Sequence, residues 1–192
     1  MGFFFAIFVV DVLEQREILD KESIVITIER LCYQLIESHD NFDNTVLIGV
    51  QPRGTYLNSR ILKKLALIVP DNNIASGNVD ISFYRDDIMR RDEPIVPQVM
   101  DMDLSVEAKK VVLIDDVVCT GRSIRSAIDA ILTFGRPASI ELLTLVNRRF
   151  SRDLPIQPDY VGKTIDVIES EKIIVEWEEN TGTDRVLMSK LK

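Results

Sequence analysis

Hydrophobic and polar positions alternate along this chain in two rhythms. Ile24, Ile28, Leu31 and Leu35 recur at helical spacing, and Asp20 stands where a side chain caps a helix, so a helix is expected from there to about Ser38. Thr45–Val50 (TVLIGV) is a short apolar run of the kind that forms a strand buried on both faces. A turn at Gln51–Gly54 leads to a second helix near Tyr56–Leu67, and Asn78–Tyr84 alternates like a strand. Lys110–Asp116 is a further buried strand, followed by a helix expected to end near Gly135, where Arg136-Pro137 forms a stop signal. Ile140–Val146 reads as a strand and Asp159–Gly162 as a short one. Lys172–Glu178 alternates, and Arg185–Met188 is a last apolar piece. Strand–helix alternation predicts an α/β fold whose central sheet is mostly parallel, with helices on both faces. Ligands of such sheets bind at the carboxyl ends of the strands, here the loops after Val50, Asp116 and Val146.

Residues 85–109 are polar, contain proline and show no period, and a loop of that length inside a compact domain is commonly functional. The chain of 192 residues suits one domain spanning 1–192, with 46% apolar and 28% charged residues. Its net charge of -8 disfavours non-specific binding to nucleic acid or anionic membrane. Cys32, Cys119 and the single histidine, His39, form no metal-ligand spacing and no histidine-based triad. Unpatterned cysteines suit a reducing, cytoplasmic setting. The apolar run Phe3–Val10 is too short to cross a bilayer and lacks a basic flank, so it is expected to be a buried strand or an irregular start, with no membrane role.

The chemistry concentrates in Val111–Ser123 (VVLIDDVVCTGRS). A buried strand delivers Asp115 and Asp116 to its carboxyl end, and the turn Thr120-Gly121-Arg122-Ser123 then opens a helix. Gly121 permits dihedrals that other residues avoid. The successive N–H groups of that turn, the helix start and the hydroxyls of Thr120 and Ser123 make an anion seat, to which Arg122 adds positive charge. Two carboxylates beside a phosphate seat suit the hydroxyls of a phosphorylated sugar or a magnesium-bound ligand. Neither a G-x-x-x-x-G-K-[ST] nor a G-x-G-x-x-G motif is present.

Val111–Ser123 resembles the motif by which type I phosphoribosyltransferases bind 5-phosphoribosyl pyrophosphate (PRPP). From about residue 18 to 189 the chain resembles the bifunctional pyrimidine operon regulator and uracil phosphoribosyltransferase family. The matching stretches are Leu47–Leu57, Val79–Asp87, Asp92–Pro94, Gly135–Pro137, Leu154–Pro155 and Asp159–Lys163. The resemblance implies a type I phosphoribosyltransferase fold with a small hood, and a Mg-dependent transfer of phosphoribosyl from PRPP to uracil, giving UMP and pyrophosphate. It implies Asp115, Asp116 and Arg85 as catalytic residues, the two aspartates also serving magnesium. It assigns PRPP to Arg53, Gly54, Cys119, Thr120, Gly121, Arg122 and Ser123, with Cys119 a small packing residue beside the site. The base would meet Asn147, Tyr160 and Val161. Arg85 would begin a mobile lid over Asp86–Lys109, and a homodimer or higher homo-oligomer is implied.

The chain departs from the family in two places. The regulators read V-D-R-G-H-R-E-L-P where this chain has Val146-Asn147-Arg148-Arg149-Phe150-Ser151-Arg152-Asp153-Leu154-Pro155. On the first helix their threonine, arginine and histidine, which face RNA, correspond to Glu29, Arg30 and Tyr33. Residues 1–60 hold five Lys/Arg against nine Asp/Glu, so that region is not basic. RNA binding, which needs a positive surface, is therefore disfavoured, although Arg148, Arg149 and Arg152 offer a local patch. The alternatives to uracil transfer are a UMP-sensing RNA-binding regulator of pyrimidine genes and a PRPP-dependent transferase for another base.

Overall fold

The computed structural model describes residues 15–86, 105–167 and 171–190. The run Phe3–Val10, Asp87, Asp92–Pro94 and most of the expected lid lie outside the described residues. A five-stranded parallel sheet runs β3-β2-β4-β5-β6, from Ala75–Val79 (β3), Thr45–Val50 (β2), Lys110–Val118 (β4), Ser139–Arg149 (β5) and Tyr160–Asp166 (β6). Its central strands are apolar throughout because both faces are covered; every residue of β2 is buried.

Strand alternation divides the core. Val112, Ile114, Leu143 and Leu145 face α1 (Lys21–His39) and α2 (Gly54–Ile68). Val46, Ile48, Val111 and Leu113 face α3 (Arg122–Ile131). Helices therefore cover both faces of the sheet, as the sequence predicts. α1 starts where expected: the Asp20 carboxylate accepts a hydrogen bond from the Ser23 N–H at 2.8 Å. Its apolar stripe, Ile24, Ile28, Leu31 and Leu35, is almost completely buried. Each such side chain contributes about 1.5–3 kcal/mol of transfer free energy.

Two boundaries differ from the sequence expectation. β3 occupies Ala75–Val79 rather than Asn78–Tyr84. Beyond Val79 the Asp80 carboxylate accepts the Ser82 N–H and the Tyr84 N–H bonds to the Ile81 carbonyl, so local bonds turn the chain away from the sheet. α3 ends at Ile131, before the expected Gly135. Thr133 and Phe134 close a turn onto Ala130 and Ile131, and a Cβ on Gly135 would press on Glu107.

A second sheet, antiparallel with order β1-β8-β7, forms a small hood from Gln15–Leu19 (β1), Glu171–Glu176 (β7) and Arg185–Lys190 (β8). The one-turn helix α4 (Glu178–Thr181) links β7 to β8. Leu19, Val175, Trp177 and Val186 join the hood to the α1–α2 side of the core. Arg60 of α2 bolts it in place: its guanidinium bonds Asp184 at 2.7 and 2.9 Å and Glu179 at 2.7 and 3.0 Å, and lies 4.7 Å from the centre of the Trp177 ring.

Candidate functional site

The site lies at the carboxyl ends of β2 and β4, under the hood. A cleft of about 230 Å³ is lined by Arg53, Arg85, Asp115, Asp116, Cys119 and Ser123, all expected from the sequence. Arg148 at the end of β5 and Lys172 and Ile173 of β7 complete it. The hood residues were not foreseen as site residues. The alternation at 172–178 signalled a strand, but not which part of the molecule that strand would cover.

Gly54 begins α2 directly against β4. A Cβ there would collide with the Ile114 carbonyl and stand 3.1 Å from the Asp115 Cα, so only glycine lets the two carboxylates and the start of α2 meet this closely. The preceding Gln51-Pro52 peptide is cis. Arg53 reaches across, with its Nε 3.5 Å from the Asp116 Oδ2. On the other side of the acids, Gly121 takes φ +89° and caps α3, so the turn Cys119–Ser123 folds over the helix start. The Arg122 N–H bonds the Thr120 Oγ1 at 3.3 Å. The Arg122 side chain is paired with Asp86 at 2.5 Å and Asp153 at 2.9 Å. With the bond from Arg125 to the Tyr84 carbonyl at 3.4 Å, this ties the segment carrying Arg85 to α3.

Burial pushes the Asp115 carboxyl well above the ordinary carboxylate range, and the neighbouring Asp116 charge adds to it. Asp116 is also raised by burial, with the Arg53 charge pulling the other way. The Asp116 N–H bonds the Asp115 Oδ1 at 3.0 Å, while the buried Asp116 Oδ2 accepts no hydrogen bond. A half-buried carboxylate beside a buried one with an unsatisfied oxygen wants a hydroxyl donor or a cation. That donor set fits magnesium, which takes one or two carboxylates and completes its shell from substrate oxygens and water. Among the described residues there is no cluster of three or more acidic, histidine or cysteine ligands.

The expected base-binding residues are not brought together. Asn147 opens instead on a neighbouring cavity of about 240 Å³, with Phe150, Arg152 and Gln157. Tyr160 is a core residue, 7% exposed, whose hydroxyl bonds Glu141 at 2.6 Å and lies 3.1 Å from His39 Nε2. Burial and the Glu141 bond push its pKa up to about 12. The register explains the separation. Tyr160 opens β6 opposite Leu143, whereas Thr164 is level with Asn147, four residues and about 13 Å further along. The Val161 carbonyl accepts from Arg30 Nη2 at 3.2 Å.

The cations that suggested a surface patch are engaged within the chain. Arg30 also bonds the Gly162 carbonyl at 2.5 Å, Arg148 the Glu171 carbonyl at 3.1 Å, and Arg149 the Asp166 carboxylate at 2.6 and 2.8 Å. Arg152 turns inward onto backbone carbonyls. Phe150 is 83% exposed and takes φ +62°, in the left-handed region that favours glycine, and the family pattern has its glycine in this loop.

Comparison with known proteins agrees with this geometry. A family model described as the phosphoribosyl transferase domain matches residues 14–180. A Bifunctional protein pyrR of Enterococcus faecalis is 40% identical over 176 residues, covering 92% of this chain and 97% of that protein. The Bifunctional protein PyrR of Bacillus subtilis is 38% identical over 176 residues, covering 90% and 96%. Among solved structures, a hypoxanthine phosphoribosyltransferase of Trypanosoma cruzi superposes with a TM-score of 0.70 at 17% identity, covering 92% of this chain and 97% of that one. At that identity the likeness concerns the fold.

Proposed function

Because the chain belongs to the phosphoribosyltransferase family, alongside PyrR proteins, we propose that it transfers the phosphoribosyl group of PRPP to uracil, giving UMP and pyrophosphate. The observation that carries this reading is the Asp115–Asp116 pair, set between the start of α2 and the Gly121 turn in one cleft. Arg53 and the first N–H groups of α2 would face the pyrophosphate, whose charge grows as the C1–O bond breaks. Asp115 and Asp116 would hold the ribose hydroxyls and balance the positive character that develops on the ribose. The turn Cys119–Ser123 would seat the 5-phosphate at the start of α3. Magnesium held by Asp115 and Asp116 would neutralise the pyrophosphate. Arg85 would close over the cleft, and exclusion of water there would strengthen each of these interactions. Catalysis would then rest on positioning and electrostatics rather than on a protein nucleophile.

Uracil would be met by Asn147 or backbone groups at the end of β5, in the neighbouring cavity that Asn147 shares with Phe150. Tyr160 has no part in this reading. The setting proposed is the cytoplasm, with a homodimer or higher homo-oligomer as the working assembly. Among the described residues no helix is long and apolar enough to cross a membrane. A second reading is an RNA-binding regulator, since a relative of Lactococcus lactis, 39% identical over 176 residues, is named Pyrimidine operon regulatory protein. The internal bonding of Arg30, Arg149 and Arg152 makes this the weaker reading. The test is a PRPP-dependent assay with labelled uracil and magnesium, run beside hypoxanthine and orotate, with Asp116→Asn as control. UMP formation lost in the variant supports the proposal. No product from uracil, with PRPP still bound, overturns it in favour of another base or a nucleotide sensor.

A further inference from the structure

Arg152 was expected at the surface, yet each nitrogen of its guanidinium is bonded within the chain. Nε donates to the Ile156 carbonyl at 2.8 Å, and Nη1 to the carbonyls of Val118 at 3.1 Å and Arg148 at 3.4 Å. Nη1 also meets the Cys119 carbonyl, and Nη2 meets the Asn147 Oδ1. The five acceptors are all neutral, and they come from the ends of β4 and β5 and from the loop at Ile156. The next two residues continue the strap, since the N–H groups of Asp153 and Leu154 both bond the Thr120 carbonyl at 3.1 Å. The side chains of Ile156 and Leu154 pack where a Cβ on Gly121 would lie 3.4–3.5 Å from them.

In a trans peptide the C=O and the following N–H point in opposite directions. Carbonyls of Val118, Cys119 and Thr120 drawn towards Arg152, Asp153 and Leu154 therefore turn the N–H groups of Cys119, Thr120 and Gly121 to the opposite side. That row of donors is the wall offered to a phosphate. The same guanidinium occupies the oxygen end of the Asn147 amide, which leaves the NH₂ end to meet a ligand carbonyl.

We infer that Arg152 is a positioning residue that aims the phosphate-binding N–H groups and orients Asn147, coupling the 5-phosphate end of the site to the base end. This rests on the phosphoribosyl-transfer reading above. A planar fork serves several acceptors at once, and a lysine ammonium does not reproduce it.

The test compares wild type, Arg152→Gln and Arg152→Lys by calorimetric binding of ribose 5-phosphate and by steady-state kinetics, each below the variant's melting temperature. Arg152→Gln is expected to weaken ribose 5-phosphate binding and to raise the KM for PRPP by about tenfold or more, with a smaller change in kcat. Arg152→Lys, which keeps the charge, is expected to recover only part of that loss. If Arg152→Gln does not fold, the lysine variant carries the test alone. Full recovery by lysine, or a lower melting temperature with unchanged ribose 5-phosphate affinity, overturns the positioning role. A wild-type chain that binds no ribose 5-phosphate overturns this inference together with the functional reading, whereas tight wild-type binding unaffected in both variants overturns this inference alone.

Discussion

Replacing Arg60 by methionine would strip the hood of its main polar anchor. The Asp184 side chain is 3% exposed and that of Arg60 17%, so the pair is largely out of water. Removing one partner of a buried pair typically costs about 3–5 kcal/mol, because a buried charge is left without its partner. Here the Glu178 N–H still bonds Asp184 at 2.8 Å, and Glu179, 37% exposed, retains water, so the lower end of about 3 kcal/mol is expected. With a urea dependence of roughly 2–3 kcal/mol per molar, the unfolding midpoint should fall by about 1 M. Trp177 is the only tryptophan, fully buried beneath the Arg60 guanidinium, so its fluorescence reports the hood directly. Circular dichroism would report the main sheet. Arg60→Met combined with Asp184→Asn should recover to within about 1 kcal/mol of wild type, since the stranded charge is then gone. Burial raises the Asp184 carboxyl but the Arg60 bond outweighs it, so the folded value is depressed. The pair's stabilisation is therefore present above a pH of about 4 and is lost as pH falls through the folded value, closing the gap between wild type and variant in acid. A double variant no more stable than Arg60→Met would refute the electrostatic argument and leave packing on Trp177 as the cause.

Three further outcomes follow from the site and the core. Asp116→Asn should lower kcat/KM for PRPP-dependent transfer by about a hundredfold or more, since it removes charge from the buried carboxylate facing Arg53; near-wild-type turnover would remove Asp116 from the mechanism. Gly54→Ala should destabilise the fold by about 1–3 kcal/mol and weaken pyrophosphate binding, because the new methyl meets the Ile114 backbone, which has little room to move; unchanged calorimetric affinity would contradict the close approach. His39 lies between Thr45 and Tyr160 at 3.1 Å from each, with Glu141 at 3.2 Å, and its pKa is lowered by burial, which outweighs the Glu141 charge. The unfolded state then binds the extra proton, so stability should be flat above a pH of about 6.5 and fall below it, by at most about 1.4 kcal/mol per unit. His39→Gln should flatten that slope in chemical denaturation, and an unaltered slope would assign it to other groups.

The residues expected at the base end are scattered, whereas those expected at the phosphate end are together, for a physical reason. The turn is local: Asp115 to Ser123 are contiguous, and their strand–turn–helix geometry follows from a buried apolar run, a glycine and a helix start. The base end is assembled from β5, β6 and the hood, so strand register decides which residues arrive. The β5–β6 register sends Tyr160 into the core beside His39, while the separate hood sheet places Ile173 at the cleft.

The chain's own pattern was enough to determine that three apolar runs would form the centre of a parallel sheet, that Asp20 would start the first helix, and that Asp115 and Asp116 would stand beside a glycine turn that opens a helix. These features depend on residues within about ten positions of one another, where periodicity and capping act directly. Tertiary structure decided the rest. β1, with only two apolar residues in Gln15–Leu19, is a strand because β8 pairs with it some 170 residues later. β3 stops at Val79 because β2 pairs with it only that far and Asp80 then turns the chain. Arg60 finds Asp184 across 124 positions, and Arg152 finds the Val118 carbonyl across 34. In each case the partner is supplied by packing, and no short-range pattern encodes which distant group will be there to meet the side chain.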